Sequence, residues 1–160
     1  MEIERKFLVP APPPRLDRHP HGPIEQGYVA IHPDGTEVRI RRREDTAVLT
    51  VKSGGLLTRV EEEITLDDST FERLWPLTAG RRIEKVRHLI PAGSDGLVIE
   101  LDVYGGDLDG LVVAEVEFAS EADAEAFAPP AWLGREVTAD ARFKNQRLAV
   151  EGRPDAGPEA

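Results

Sequence analysis

Apolar and polar side chains alternate along most of this chain, and a period of two marks strands whose two faces meet different surroundings. The alternation predicts strands at 3–9, 24–31, 36–43, 47–53, 58–65, 81–90, 97–103 and 111–118. Turn chemistry separates several of them: HPDG at 32–35, ED at 44–45 and GG at 54–55. The segment 10–23, PAPPPRLDRHPHGP, is too rich in proline for a regular element and reads as a loop. Helical spacing appears at 68–77, where Phe71, Leu74 and Trp75 share a face behind an Asp67 or Asp68 cap. A second helix is predicted at 120–128 behind Ser120, and a third at 139–150 with Phe143 and Leu148 buried. The chain then reads as one domain, 1–150, followed by a disordered tail at 151–160.

The polar strand faces are not the usual solvent mixture of serine, threonine and scattered charge. Like charges recur two residues apart: Glu2 and Glu4, Arg39, Arg41 and Arg43, Glu61 and Glu63, Lys85 and Arg87, Glu100 and Asp102, Glu115 and Glu117. Opposite each set lies an apolar face, for example Val38 and Ile40, or Val112, Ala114, Val116 and Phe118. The helices need an apolar surface to pack on, and these faces supply it. Eight strands suffice to close a barrel. The expected fold is therefore α+β: an eight-stranded antiparallel closed β-barrel with a charged interior and helices packed outside.

A charged interior is costly unless it is paired, hydrated or filled by a ligand. Seven bases (Lys6, Arg39, Arg41, Lys52, Arg59, Lys85, Arg87) and eight acids (Glu2, Glu4, Glu61, Glu63, Glu100, Asp102, Glu115, Glu117) are assigned to it. A ligand of both signs suits this set: a polyphosphate gripped by arginine and lysine, with divalent cations held by carboxylates. Composition narrows the rest. The net charge of −10 argues against nucleic acid as a partner. With no cysteine there is no disulfide and no thiolate metal site, and the four histidines lack zinc-type spacing. No run is long and apolar enough to span a bilayer, the charged N-terminus lacks a secretory apolar core, and a cytoplasmic location is expected.

EIERK at 2–6 carries the E-x-E-x-K pattern and resembles the signature of the CYTH superfamily, the triphosphate tunnel metalloenzymes. QGYV, VRIRRR, LTVKS, RVEEEI, EKVRHLI, ELDV, DGLVVAEVEF and LGREVTADARFKNQRLA resemble that family's later blocks, in order, over nearly the whole chain. The resemblance implies a tunnel fold, dependence on Mg²⁺ or Mn²⁺, and a small-molecule triphosphate as substrate. By position it implies Glu2, Glu4, Glu115 and Glu117 as metal ligands, joined by Glu61, Glu63 and Asp102. It implies Lys6, Arg39, Arg41, Lys52, Arg59, Lys85 and Arg87 as phosphate contacts, with Lys144 at one tunnel end. Lys85 and Tyr28 resemble the pair that activates water in small bacterial triphosphatases. The expected reaction is hydrolysis of inorganic tripolyphosphate to pyrophosphate and phosphate. Adenylyl cyclase chemistry, nucleoside or thiamine triphosphate hydrolysis, and a non-enzymatic polyphosphate-binding module are the alternatives. Monomer and homodimer both stay open, and the proline-rich 10–23 segment departs from the family's pattern.

Overall fold

The computed structural model describes residues 3–54, 60–93 and 96–154. Eight strands form one sheet: β1 (Ile3–Leu8), β2 (His21–Ile31), β3 (Glu37–Arg43), β4 (Thr46–Lys52), β5 (Glu61–Leu66), β6 (Arg82–Pro91), β7 (Val98–Tyr104) and β8 (Val112–Phe118). Their order is β1-β8-β7-β6-β2-β3-β4-β5, and every neighbouring pair is antiparallel. Three short helices accompany the sheet: α1 (Asp68–Leu74), α2 (Glu121–Ala126) and α3 (Asn145–Glu151). Asp67 caps α1 by accepting from the Thr70 amide at 2.7 Å, and Ser120 caps α2 through the Asp123 amide at 3.0 Å.

Residues paired across a ladder point to the same side of the sheet, so the registers sort the side chains by face. One face is charged. Glu4 lies opposite Glu117 and Lys6 opposite Glu115; Glu115 lies opposite Glu100; Arg87 lies opposite Asp102 and Lys85 opposite Tyr104. Tyr28 faces Arg39, Arg39 faces Thr50, and Thr50 faces Glu63. The other face is the main core. Phe7, Ile90, Ile99, Leu101, Ala114, Val116 and Phe118 pack there with Phe127 and Trp132, and Ile40 and Ala47 pack there with Phe71 and Trp75. Each fully buried Phe, Ile, Leu or Val among them stabilises the fold by roughly 1.5–3 kcal/mol. Gly27 lets the turn after α1 approach β2, since a Cβ there would sit 2.6 Å from the Thr78 side chain.

Two expectations need correction. The sheet is not closed into a barrel: β1 and β5 are its two edges and do not pair with each other. The outer edge of β1 is already taken by the chain that follows α2. Leu8 N donates to Arg135 O at 2.9 Å, Gly134 N to Leu8 O at 2.7 Å, and Val137 N to Lys6 O at 2.8 Å. Lys6 N adds a bond to Thr138 Oγ1 at 2.9 Å. Nor do all the helices pack on the apolar face. Leu148 of α3 and Phe143 just before it join Ile83, Tyr104 and Val113, residues whose registers place them on the charged face. The charged face is thus an open trough stoppered at one end by an apolar plug.

The third helix is shorter than its periodicity suggested. A 3-10 turn at Ala141–Phe143 precedes it, and extended Lys144 breaks the run before α3 begins. The 10–23 segment is less irregular than its prolines imply. It holds a 3-10 turn at Leu16–Arg18, and β2 already starts at His21, whose ring stacks on His88 at 5.0 Å. Of the expected tail, residues 155–160 lie outside the described residues, and Glu151 still belongs to α3.

Candidate active site

The charged trough divides into two halves of different character. On β6, β7, β8 and β1, cations and acids are matched. Lys85 Nζ lies 2.9 Å from Asp102 Oδ2, with side chains 1% and 4% exposed. Arg87 grips the same carboxylate with both arms, Nε to Oδ1 at 2.8 Å and Nη2 to Oδ2 at 2.9 Å, and reaches Glu100 at 2.8 Å. Lys6 Nζ sits 3.0 Å from Glu115 and donates to Phe143 O at 3.1 Å. The Lys85 ammonium also lies 5.6 Å from the centre of the Tyr104 ring.

This pairing sets the proton affinities. Burial is the largest influence on Asp102 and raises its pKa, but Lys85 and Arg87 together outweigh it and hold the carboxyl below its ordinary value. Burial pushes the Lys85 ammonium down, against the attraction of Asp102. The phenols move the other way. Tyr28 is pushed up to about 12, chiefly by burial, and Tyr104 rises well above its ordinary value for the same reason.

On β3 and β4 the cations lack this matching. Among the described residues, neither Arg39 nor Arg41 makes an ion pair within 4 Å. Arg41 is held below its ordinary pKa by burial and then by the charges of Arg39 and Arg87. Lys52 is only loosely paired, 3.9 Å from Glu61. Lys144 is exposed, at the start of α3; burial raises the Glu37 carboxyl above its ordinary pKa, and the charges of Arg39, Lys52 and, least, Lys144 only partly oppose it. Three polar atoms here are buried and have no hydrogen-bond partner among the described residues: Glu37 Oε2, Arg39 Nε and Thr50 Oγ1. At the far end from the plug, a cleft of about 480 Å³ opens between Leu89, Val98, Glu100, Glu117 and Phe118.

The expected residues are therefore distributed as follows. Glu4, Lys6, Tyr28, Arg39, Arg41, Lys52, Glu61, Glu63, Lys85, Arg87, Asp102, Glu115 and Glu117 share the charged face. Glu2 and Arg59 lie outside the described residues. Tyr28 and Lys85 are each engaged elsewhere: Gln26 Nε2 donates to the Tyr28 hydroxyl at 2.9 Å, and the partner of Lys85 on β2 is Ile24. Gln26, Tyr104, Glu37 and Thr50 were not among the expected site residues. All four follow the period-2 face of a neighbour, but their side chains carry no paired charge to mark them.

The acids were tested for metal binding by their surroundings. Among the described residues, no three acidic or histidine side chains converge into a ready cage. Asp102 does not fit the role, because both of its oxygens are spent on Lys85 and Arg87. Glu4 and Glu117 fit it better. They face each other across β1 and β8 with Glu115 two residues along, and Mg²⁺ is often held by one or two carboxylates that share it with substrate phosphates.

The chain is similar to several known proteins. The family model described as CYTH domain matches residues 1–148. A protein of Nitrosomonas europaea named inorganic triphosphatase is 48% identical over 152 residues, covering 93% of this chain and 97% of that protein. One of Acetivibrio thermocellus with the same name is 35% identical over 150 residues, covering 92% of each. The crystal structure of the inorganic triphosphatase NE1496 superposes with a TM-score of 0.77 at 45% identity, covering 94% of this chain and 95% of that one.

Proposed function

This chain belongs to the CYTH domain family, and from that premise we propose that it hydrolyses inorganic tripolyphosphate to pyrophosphate and phosphate with a divalent cation. The two relatives named inorganic triphosphatase support the reaction class. The single observation that carries the reading is the unmatched cation pair Arg39 and Arg41, set across the trough from the facing carboxylates Glu4 and Glu117. Such a face leaves positive charge for phosphoryl oxygens on one side and hard oxygen donors on the other.

In this reading Arg39, Arg41, Lys52 and Arg59 take the phosphate chain, with Lys144 at one end. Their forks and ammonium groups offset charge on the non-bridging oxygens as the bond to the leaving pyrophosphate breaks. Glu4, Glu115 and Glu117, with Glu2, would hold Mg²⁺ or Mn²⁺, which supplies further neutralisation of those oxygens. Glu61 and Glu63 stand on β5 within the same face for a second such position. Lys6 and Arg87, now bound to acids, can turn to phosphate only by giving up those partners. Lys85, whose burial eases loss of its proton, takes the proton of the attacking water, and the neutral Tyr28 hydroxyl helps to orient that water. Asp102 holds Lys85 in place. The enzyme is taken to be cytoplasmic. Glu4→Gln and Lys85→Ala test the assignment: each should lower kcat for tripolyphosphate at least a hundredfold while the folded protein persists by circular dichroism. Unchanged turnover in both would overturn it.

A further inference from the structure

Three polar atoms without partners occupy one small patch of the trough. Glu37 and Arg39 stand two apart on β3, and Thr50 lies directly opposite Arg39 on β4. Thr50 is only 1% exposed, yet among the described residues its hydroxyl has no hydrogen-bond partner; nor have Arg39 Nε and Glu37 Oε2. Each unsatisfied buried group costs about 1–3 kcal/mol, and native structures keep few of them without a reason. Three together, beside the unmatched cations of β3 and β4, point to a ligand. Its chemistry can be read from what is missing. Arg39 Nε needs an acceptor, Thr50 Oγ1 can both donate and accept, and Glu37 Oε2 needs a donor.

A phosphoryl group at the end of a chain meets all three needs. It has acceptor oxygens for the arginine and threonine, and an ionisable hydroxyl, with a pKa near about 6, for the carboxylate. An internal or cyclic phosphate has no such hydroxyl and would set a bare anion against Glu37. Resting on the triphosphate reading above, we propose that Glu37, Arg39 and Thr50 form the seat of the terminal phosphoryl group, with Thr50 and Glu37 as further substrate-contacting residues. The patch opens as the long side chains of Arg39 and Lys52 turn onto the phosphates. The seat selects linear, free-ended polyphosphates over cyclic ones.

The test is calorimetric binding of linear tripolyphosphate and cyclic trimetaphosphate, with chelator present, to the wild type, Thr50→Val, Thr50→Ser and Glu37→Gln. Thr50→Val should weaken tripolyphosphate roughly tenfold to a hundredfold, the worth of a hydrogen bond to a charged group, and leave trimetaphosphate within about twofold. Its Tm should equal or exceed that of the wild type, because an isosteric methyl replaces an unsatisfied hydroxyl. Thr50→Ser should regain most of the lost affinity, and Glu37→Gln should shrink the preference for the linear ligand. Equal weakening of both ligands by Thr50→Val, or of neither, overturns the seat, as does a lowered Tm with binding intact. A wild type that binds tripolyphosphate selectively but does not hydrolyse it would refute the hydrolase reading and leave the seat standing.

Discussion

At the scale of single residues, Asp102 governs most. It is buried under Lys85 and Arg87, and removing its charge strands two cations in a place with little water. Asp102→Asn should cost about 3–5 kcal/mol, the usual result of breaking a buried pair from one side, and chemical denaturation would measure it. Its acid dependence has a definite sign. The folded pKa lies below the unfolded one, so its contribution is full above the ordinary value of 3.8 and is lost as pH falls through the lowered folded value. Lys85 also makes stability rise with pH, but only in the interval between its lowered folded value and the ordinary 10.5, so it adds nothing to the acid limb. A Tm profile in acid should therefore flatten in Asp102→Asn relative to the wild type. Tyr28, held at about 12, remains a phenol throughout the neutral range, and Tyr28→Phe should leave the alkaline limb of the rate profile below that value where it was. The sequence showed which face these residues take, because a period of two admits no other assignment. It could not show that Asp102 spends both oxygens on cations, because that depends on which strands become neighbours.

At the scale of elements, the strands were legible and their closure was not. Alternation identifies a strand and its two faces, but the β1–β5 seam depends on a competitor 130 residues away. The extended stretch at 134–138 reaches the β1 edge first, and Arg5 fastens it through a fork to Glu136 at 2.7 and 3.1 Å. The side of the sheet taken by α3 was hidden for a similar reason. Phe143 and Leu148 look like any core residues, and only the fold shows that their partners are Ile83, Tyr104 and Val113 at the end of the charged trough. Phe143→Ala should cost about 3–5 kcal/mol through the cavity it leaves. It should also raise KM for tripolyphosphate, because relaxation around the cavity shifts the main chain whose Phe143 carbonyl positions Lys6. A loss of stability with KM unchanged would confine the plug to a packing role.

For the whole molecule, the account rests on an asymmetry of charge. A chain with a net charge of −10 keeps unmatched arginines on one side of a trough and opposed carboxylates on the other. Such an arrangement is wasteful for stability alone and useful for a polyanion that arrives with a cation. The most direct measurement is phosphate release from tripolyphosphate and from ATP, assayed side by side with Mg²⁺, with Mn²⁺ and with chelator. The account expects rapid release from tripolyphosphate with at least one of the cations, little from ATP, and none with chelator. Release unaffected by chelator, or preference for ATP, would contradict it.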